Sequence, residues 1–250
     1  MAWVIDLDGV LWRGEEPVPG AGEAVARLRA AGERVVFVTN NSSATVATYV
    51  AKLAAVGVPA GPDDLLTSAQ AAAGLLAPGS TALVCAGPGV VEALEARGVQ
   101  PVHEGDADAV VVGWHRQFDF DRLTAAFLAV RHGARFVATN DDPTYPTPEG
   151  EVPGGGAIVA AVATAAGVQP EIAGKPFPAM VALVRARIGT GPLVVVGDRP
   201  STDGLLARAL DAEFALVLSG VTAAADLPVN PAPAHVADDL AALVEAVLSQ

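Results

Sequence analysis

The chain has too little sulfur to cross-link itself and too little positive charge to bind a polyanion. Its one cysteine, Cys85, cannot form an intrachain disulfide. An apolar strand pattern starts at residue 3 with no charged-then-apolar leader before it, so a cytoplasmic protein is expected. Lysine and arginine number 15 against 28 aspartates and glutamates, a formal charge of -13. The field of such a chain repels nucleic acid and anionic membranes, and neither is expected as a partner. Any site for an anion must therefore be locally positive or hold a metal. No apolar run reaches the roughly 20 residues that span a bilayer. The longest, 157–168, contains Thr164 and reads as a buried helix. Internal repeats, charge blocks and low-complexity tails are also absent. The four histidines, His103, His115, His132 and His235, lack metal-ligand spacing and read as surface or capping residues, with His115 a slight exception.

What the chain does have is apolar substance: 250 residues, 52% of them hydrophobic, enough for one large or two modest cores. Valine-rich runs alternate with helical patterns, the sign of βαβ units and a mostly parallel sheet. The spacing predicts strands over 3–5, 34–38, 193–196 and 214–218, with helices over 23–31, 45–56, 69–76, 178–188 and 202–210. Gly32 and Gly57 follow their helices directly, where a left-handed residue is preferred. A second block repeats the alternation, with strands over 82–85, 109–112 and 135–138 and helices over 90–97, 122–132 and 157–166. In 122–132, Leu123, Phe127 and Val130 share one helical face, with Asp121 placed to cap and Gly133 to stop. Segment 141–156 holds Pro143, Pro146, Pro148, Pro153 and four glycines and is expected to be an irregular loop. Loops of that length are usually functional or disordered. The implied organisation is a core made of 1–77 and 174–250, with a second α/β domain inserted at 78–173.

Polar clusters sit where the predicted strands end. The first strand runs through Asp6-Leu7-Asp8-Gly9, two carboxylates one residue apart that can converge on one ligand. On its own, Asp8-Gly9 is a common turn dipeptide. After 34–38 comes Thr39-Asn40-Asn41-Ser42-Ser43, donors that either hold an anion or merely cap the next helix. Gly174-Lys175-Pro176 places a lysine before a helix, either solvated or set as a fixed charge on a phosphate. After 193–196 comes Gly197-Asp198-Arg199-Pro200-Ser201-Thr202-Asp203, a second strand ending in an acid. Hard oxygen ligands of this kind suit Mg²⁺. Such a cation is needed, because two unit charges about 4 Å apart repel by roughly 4 kcal/mol even at an effective dielectric of about 20. Gly87-Pro88-Gly89 is not read as a dinucleotide fingerprint, since Glu92 stands at the third glycine's place.

Taken in order, Asp6-Leu7-Asp8-Gly9-Val10, Thr39-Asn40-Asn41-Ser42, Gly174-Lys175-Pro176 and Gly197-Asp198-Arg199 through Thr202-Asp203 resemble the four motifs of the haloacid dehalogenase superfamily. The nearest likeness is to its subfamily IIA phosphatases, the NagD-like, 4-nitrophenylphosphatase-like and phosphoglycolate phosphatase relatives. Ala138-Thr139-Asn140-Asp141 and Pro153-Gly154-Gly155-Gly156-Ala157 resemble the C2-type cap, and Leu218-Ser219-Gly220-Val221-Thr222 the family's tail. The resemblance implies a Rossmann-like α/β core with a parallel sheet and an inserted α/β cap. It further implies a Mg²⁺-dependent phosphatase that hydrolyses a small phosphomonoester through an aspartyl-phosphate. The candidates are phosphoglycolate, glycerol phosphate, a sugar phosphate and 4-nitrophenyl phosphate.

Carried across, the resemblance makes Asp6 the nucleophile and Asp8 the general acid and then base. Thr39, Asn40 and Asn41 would hold the phosphoryl oxygens, and Lys175 would neutralise nucleophile and phosphate together. Mg²⁺ would sit on Asp6, the Asp8 carbonyl and Asp198, with Asp203 in reserve or acting through water. The partner is a small phosphorylated metabolite, and a homodimer is left open. Pro200, Ser201 and Gly204 depart from the usual pattern, so the fourth loop is expected to be shaped differently while keeping its metal site. Tyr145 is the leading specificity contact; Trp114, His115 and Arg116 are weaker ones. Trp3 and Trp12 read as core packing. The rival reading is a non-catalytic phospholigand-binding regulator, against which intact Asp6, Asp8 and Lys175 argue; a phosphomutase is disfavoured by the cap.

Overall fold

The computed structural model describes residues 1–147 and 150–249. Two parallel sheets dominate it. The first has six strands in the order His235–Ala237, Glu213–Val217, Leu193–Gly197, Ala2–Asp6, Arg34–Thr39 and Leu65–Thr67. Every neighbouring pair is parallel. From the central Ala2–Asp6 strand the chain first builds outward one way and later the other. That reversal opens a crevice beyond the carboxyl ends of Ala2–Asp6 and Leu193–Gly197, where open α/β sheets bind ligands.

The second sheet has five strands in the order Glu171–Ile172, Arg135–Ala138, Ala109–Val112, Thr81–Cys85 and Gln100–Val102, again all parallel. All its residues lie between 81 and 172, and all those of the first sheet outside that span. Among the described residues no helix is long and apolar enough to cross a membrane.

The alternation of side chains along extended chain explains the core. Trp3 and Ile5 face the helices Ala21–Ala30 and Leu240–Leu248, while Val4 between them faces the opposite way, toward Ser68–Gly74 and Pro178–Ile188. Burial of each such side chain contributes about 1.5–3 kcal/mol. The second sheet shares its inner face with that same layer through Val84, Val111 and Val137. Its outer face packs on Phe120–Arg131 and Gly155–Ala166. The helix expected over 157–168 is present as Gly155–Ala166 but is buried on one face only: Ile158, Val159, Val162, Ala163 and Ala166 pack inward, while Ala157, Ala160, Thr164 and Ala165 are exposed.

Four expectations are corrected. The segment 141–156 is not wholly irregular: Thr144–Thr147 and Gly150–Pro153 form an antiparallel ribbon, and the helix begins at Gly155. A two-stranded ribbon is all edge, and edge strands accept proline; Pro148 lies outside the described residues. The Phe120–Arg131 helix is capped by Asp119, whose Oδ1 accepts the Arg122 N–H at 2.8 Å. Asp121 falls inside the first turn, where it favours the helix dipole instead. His115 is buried, its Nδ1 3.0 Å from the Gly113 carbonyl oxygen, rather than a surface residue. The helix expected over 202–210 splits into a π-type turn, Pro200–Gly204, and the short Leu205–Ala209. A Cβ at Gly204 would come to 3.0 Å from the Phe214 ring and 3.1 Å from Pro231, so glycine suits this tight turn.

Candidate active site

The first strand delivers Asp6 to the crevice and then turns at once. Gly9 adopts φ +82, and its N–H donates to the Trp12 carbonyl at 2.7 Å, closing a loop that carries Asp8. A Cβ on Gly9 would run into the Asp198 carboxylate, so only glycine lets the two loops meet. Asp198 closes the Leu193–Gly197 strand. Its Oδ2 accepts the Val221 N–H at 2.6 Å, which ties the fourth loop to the tail. Ser219 secures the same junction through its hydroxyl, donated to the Gly9 carbonyl at 2.6 Å.

Among the described residues Lys175 is the cation paired directly with these acids, while Arg199 lines the same cleft and attracts Asp198 from farther off. The Lys175 ammonium lies 2.7 Å from Asp6 Oδ1 and 2.7 Å from Asp203 Oδ1, with a side chain only 3% exposed. Burial alone would discharge the amine, but Asp203 and Asp6 outweigh it and hold its pKa above the ordinary value. Asp203 also accepts the Arg199 N–H at 3.1 Å. Burial, with repulsion from Asp203 and Asp198, raises Asp6 well above the usual carboxylate range despite Lys175. The same causes, burial first and Asp203 second, push Asp198 up to about 6.

Three acids share one lysine. Carboxylate oxygens from Asp6, Asp198 and Asp203 all lie within 4.8 Å of one another. The excess negative charge is what a dication would offset, and an all-oxygen donor set is what Mg²⁺ takes. The residues present therefore fit the ion.

Asp8 sits across the crevice. Its Oδ1 accepts the Trp12 indole N–H at 3.0 Å and the Tyr145 hydroxyl at 3.4 Å. Burial raises its pKa, with the Trp12 hydrogen bond pulling the other way. The space between these groups is a cleft of about 70 Å³, on the order of a few water molecules. Asp6, Asp8, Thr39, Asn40, Asn41, Lys175, Asp198 and Tyr145 all line it; Asp203 stands behind, through Lys175.

The Asn40 side chain is taken up by protein groups. Its side-chain oxygen accepts the Lys175 N–H at 2.7 Å, and its amide donates to the Lys175 carbonyl at 3.2 Å and to Asp142 at 3.0 Å. That side chain is spent on holding other groups and is not free for a phosphate. Thr39 Oγ1 accepts the Asn41 N–H at 3.0 Å, which leaves the hydroxyl hydrogen to face the cleft. Asn41 Oδ1 is taken by the Ser43 N–H and hydroxyl.

The second sheet supplies the other wall: Trp114, Asn140, Asp142, Thr144 and Tyr145. Trp114 donates its indole N–H to the Pro153 carbonyl at 2.9 Å, and its ring lies 5.3 Å from that of Tyr145. Arg116 stacks on the outer face of Trp114, and neither it nor His115 lines the cleft. Sequence reasoning overlooked Asp142, Arg199 and Trp12. Trp12 is fully buried, as a core residue should be, yet also donates to Asp8. Its place four residues after Asp8 was the available signal.

Residues 3–100 match the family model described as haloacid dehalogenase-like hydrolase, and residues 172–243 match a second described as HAD-hydrolase-like. The chain is 40% identical to D-glycerol 3-phosphate phosphatase of Mycobacterium tuberculosis, over 96% of this chain and 70% of that protein. A crystal structure of glycerol phosphate phosphatase from that organism in complex with magnesium superposes with a TM-score of 0.89 at 39% identity, covering 97% and 75%. The p-nitrophenyl phosphatase of Archaeoglobus fulgidus superposes with a TM-score of 0.90 at 31% identity, covering 98% of each chain.

Proposed function

The chain belongs to the haloacid dehalogenase-like hydrolases, and from that premise we propose that Asp6 attacks the phosphorus of a small phosphomonoester while Asp8 protonates the departing alcohol. It is a Mg²⁺-dependent phosphoric monoester hydrolase. The observation that carries the proposed roles is the buried Asp6–Lys175–Asp203 arrangement, 2.7 Å at each link, beside acids whose charge is not balanced.

In the first step an Asp6 oxygen bonds to phosphorus as the bond to the leaving oxygen breaks. The proton of Asp8 goes to that leaving oxygen. In the second step water bonds to phosphorus, its proton returns to Asp8, and the Asp6–phosphorus bond breaks to release phosphate. The raised pKa of Asp8 favours the protonated form that the first step needs. Lys175 offsets negative charge on Asp6 and the phosphoryl group, and the Thr39 hydroxyl with the backbone N–H of Asn40 would orient the phosphoryl oxygens, the Asn41 N–H being spent on Thr39 Oγ1. Asp6, Asp198 and the Asp8 carbonyl would hold Mg²⁺, with Asp203 behind them. The ion supplies charge neutralisation at the phosphoryl group.

We further propose that residues 78–173 act as a cap. Trp114 and Tyr145 line the cleft opposite Asp6, with the Tyr145 hydroxyl 3.4 Å from Asp8, so the alcohol part of the ester would lie against this wall. The same wall then selects among esters.

Phosphate release across glycerol 3-phosphate, phosphoglycolate, sugar phosphates and 4-nitrophenyl phosphate, with Mg²⁺ and with EDTA, tests this reading beside Asp6→Asn. Turnover that needs both Mg²⁺ and Asp6 is expected. An active Asp6→Asn protein would remove the nucleophile assignment, and an inert wild type would leave a phospholigand-binding protein.

A further inference from the structure

Two donors from distant parts of the chain meet on one atom of Asp8. The Trp12 indole N–H reaches Oδ1 at 3.0 Å from the loop after the first strand. The Tyr145 hydroxyl reaches the same Oδ1 at 3.4 Å from the cap ribbon. Among the described residues none donates to Oδ2.

Both donors are held in place. Trp12 is fully buried, its carbonyl accepts the Gly9 N–H, and the Lys52 ammonium sits 4.6 Å from its ring centre. Lys52 is itself anchored to the Gly14 carbonyl at 2.6 Å. The Tyr145 ring lies 5.3 Å from that of Trp114, whose indole N–H is fixed on the Pro153 carbonyl at 2.9 Å.

A neutral carboxyl has one oxygen that bears hydrogen and one that only accepts. A hydrogen on Oδ1 would confront two others head-on. We infer that Trp12 and Tyr145 are positioning residues that confine the proton of Asp8 to Oδ2, and that Tyr145 makes this placement depend on closure of the cap. The inference rests on the proposed role of Asp8 as general acid. In the first step the Oδ2–H bond breaks, hydrogen bonds to the leaving oxygen, and the pair from the broken phosphorus–oxygen bond stays with that oxygen. In the second step a water hydrogen returns to Oδ2 while the water oxygen bonds to phosphorus and the Asp6–phosphorus bond breaks, its electron pair staying with the Asp6 carboxylate. One oxygen thus serves both steps, and Oδ1 serves neither.

A series of substituted phenyl phosphates tests this, because their shape is nearly constant while the leaving group's need for a proton varies. The 4-nitrophenolate departs unprotonated, whereas plain phenol, with a pKa of about 10, depends on an acid. With Mg²⁺ and saturating enzyme in excess over substrate, release of the phenol reports the first step alone. Trp12→Phe is expected to slow phenyl phosphate at least about tenfold more than 4-nitrophenyl phosphate, part of the roughly 10²–10⁴-fold that a general acid supplies. Tyr145→Phe should act in the same direction by about threefold or more.

Equal slowing of all members of the series, or none, by either variant overturns the inference, since loss of packing alone has no reason to follow leaving-group acidity. Should Trp12→Phe fail to fold, Tyr145→Phe, which removes one partly exposed oxygen, decides the matter. A wild type that releases no phenol from any member overturns the phosphatase reading beneath and this inference with it. A wild type that releases them all, with variants that slow them equally, overturns this inference alone.

Discussion

The carboxyl ends of the two sheets are built alike and furnished differently. Both sheets are parallel, and the central strands of both are valine-rich and buried on both faces. The first ends in Asp6 and Asp198 around Lys175, with Asp203 behind. The second, with its ribbon, ends in Trp114, Asn140, Asp142 and Tyr145. A shared architecture gives a place for a ligand but not a chemistry. Unbalanced buried charge distinguishes one wall, and aromatic and amide groups beside Asp142 the other; under the proposed function the first wall reacts and the second selects.

The comparison is broken most severely if Lys175 proves dispensable. Lys175→Met leaves Asp6 and Asp203 buried with no counter-ion, which should destabilise the EDTA-treated protein by about 3–5 kcal/mol in urea unfolding. Turnover should drop by about 10³-fold or more. A variant with wild-type stability and activity would mean that the acids are not electrostatically linked.

Next comes the response to metal. Asp198 moves from an ordinary 3.8 to about 6 on folding without metal. Between those values the folded state binds more protons than the unfolded one, so this group's contribution to stability falls as pH rises through the window. Asp6 is shifted the same way. Saturating Mg²⁺ should therefore raise the melting temperature a few degrees more at about pH 7.5 than at about pH 5, by calorimetry. An equal gain at both would uncouple the ion from these acids.

A smaller effect sharpens the division between walls. Trp114→Ala should raise KM for the ester about tenfold, or ~1.4 kcal/mol, with little change in inhibition by inorganic phosphate. A matching loss of phosphate affinity would place Trp114 with the reacting groups. The smallest effect belongs to the seam: Ser42 donates its hydroxyl to Thr139 Oγ1 at 3.0 Å, buried between the walls. Ser42→Ala should cost about 1 kcal/mol of stability and leave turnover within about threefold.

Much of this was legible in the sequence because it was local. Apolar runs over 3–5, 34–38 and 193–196 gave the central strands, and the acids directly after them gave the ends. The edge strands Leu65–Thr67 and His235–Ala237 are three residues each, too short to show a period. The prolines of 141–156 concealed a ribbon in which proline is acceptable. Asn40 shows the deeper limit. Its residue type suits phosphate binding, but its partners Lys175 and Asp142 lie 135 and 102 residues away, and only the folded chain brings them near enough to claim its side chain. Trp12 was legible as apolar and not as a donor, because burial and hydrogen bonding draw on different parts of one indole.

Asn40 grips the Lys175 peptide from both sides, accepting its N–H at 2.7 Å and donating to its carbonyl at 3.2 Å. Lys175 lies only three residues beyond the last strand of the second sheet, Glu171–Ile172. Without that grip, any swing of the inserted segment would be passed straight down the chain to the ammonium. With it, the Lys175 backbone is fixed to the end of the Arg34–Thr39 strand, and because the same Asn40 amide also reaches Asp142 at 3.0 Å, one side chain ties the ammonium's anchor to both walls of the cleft.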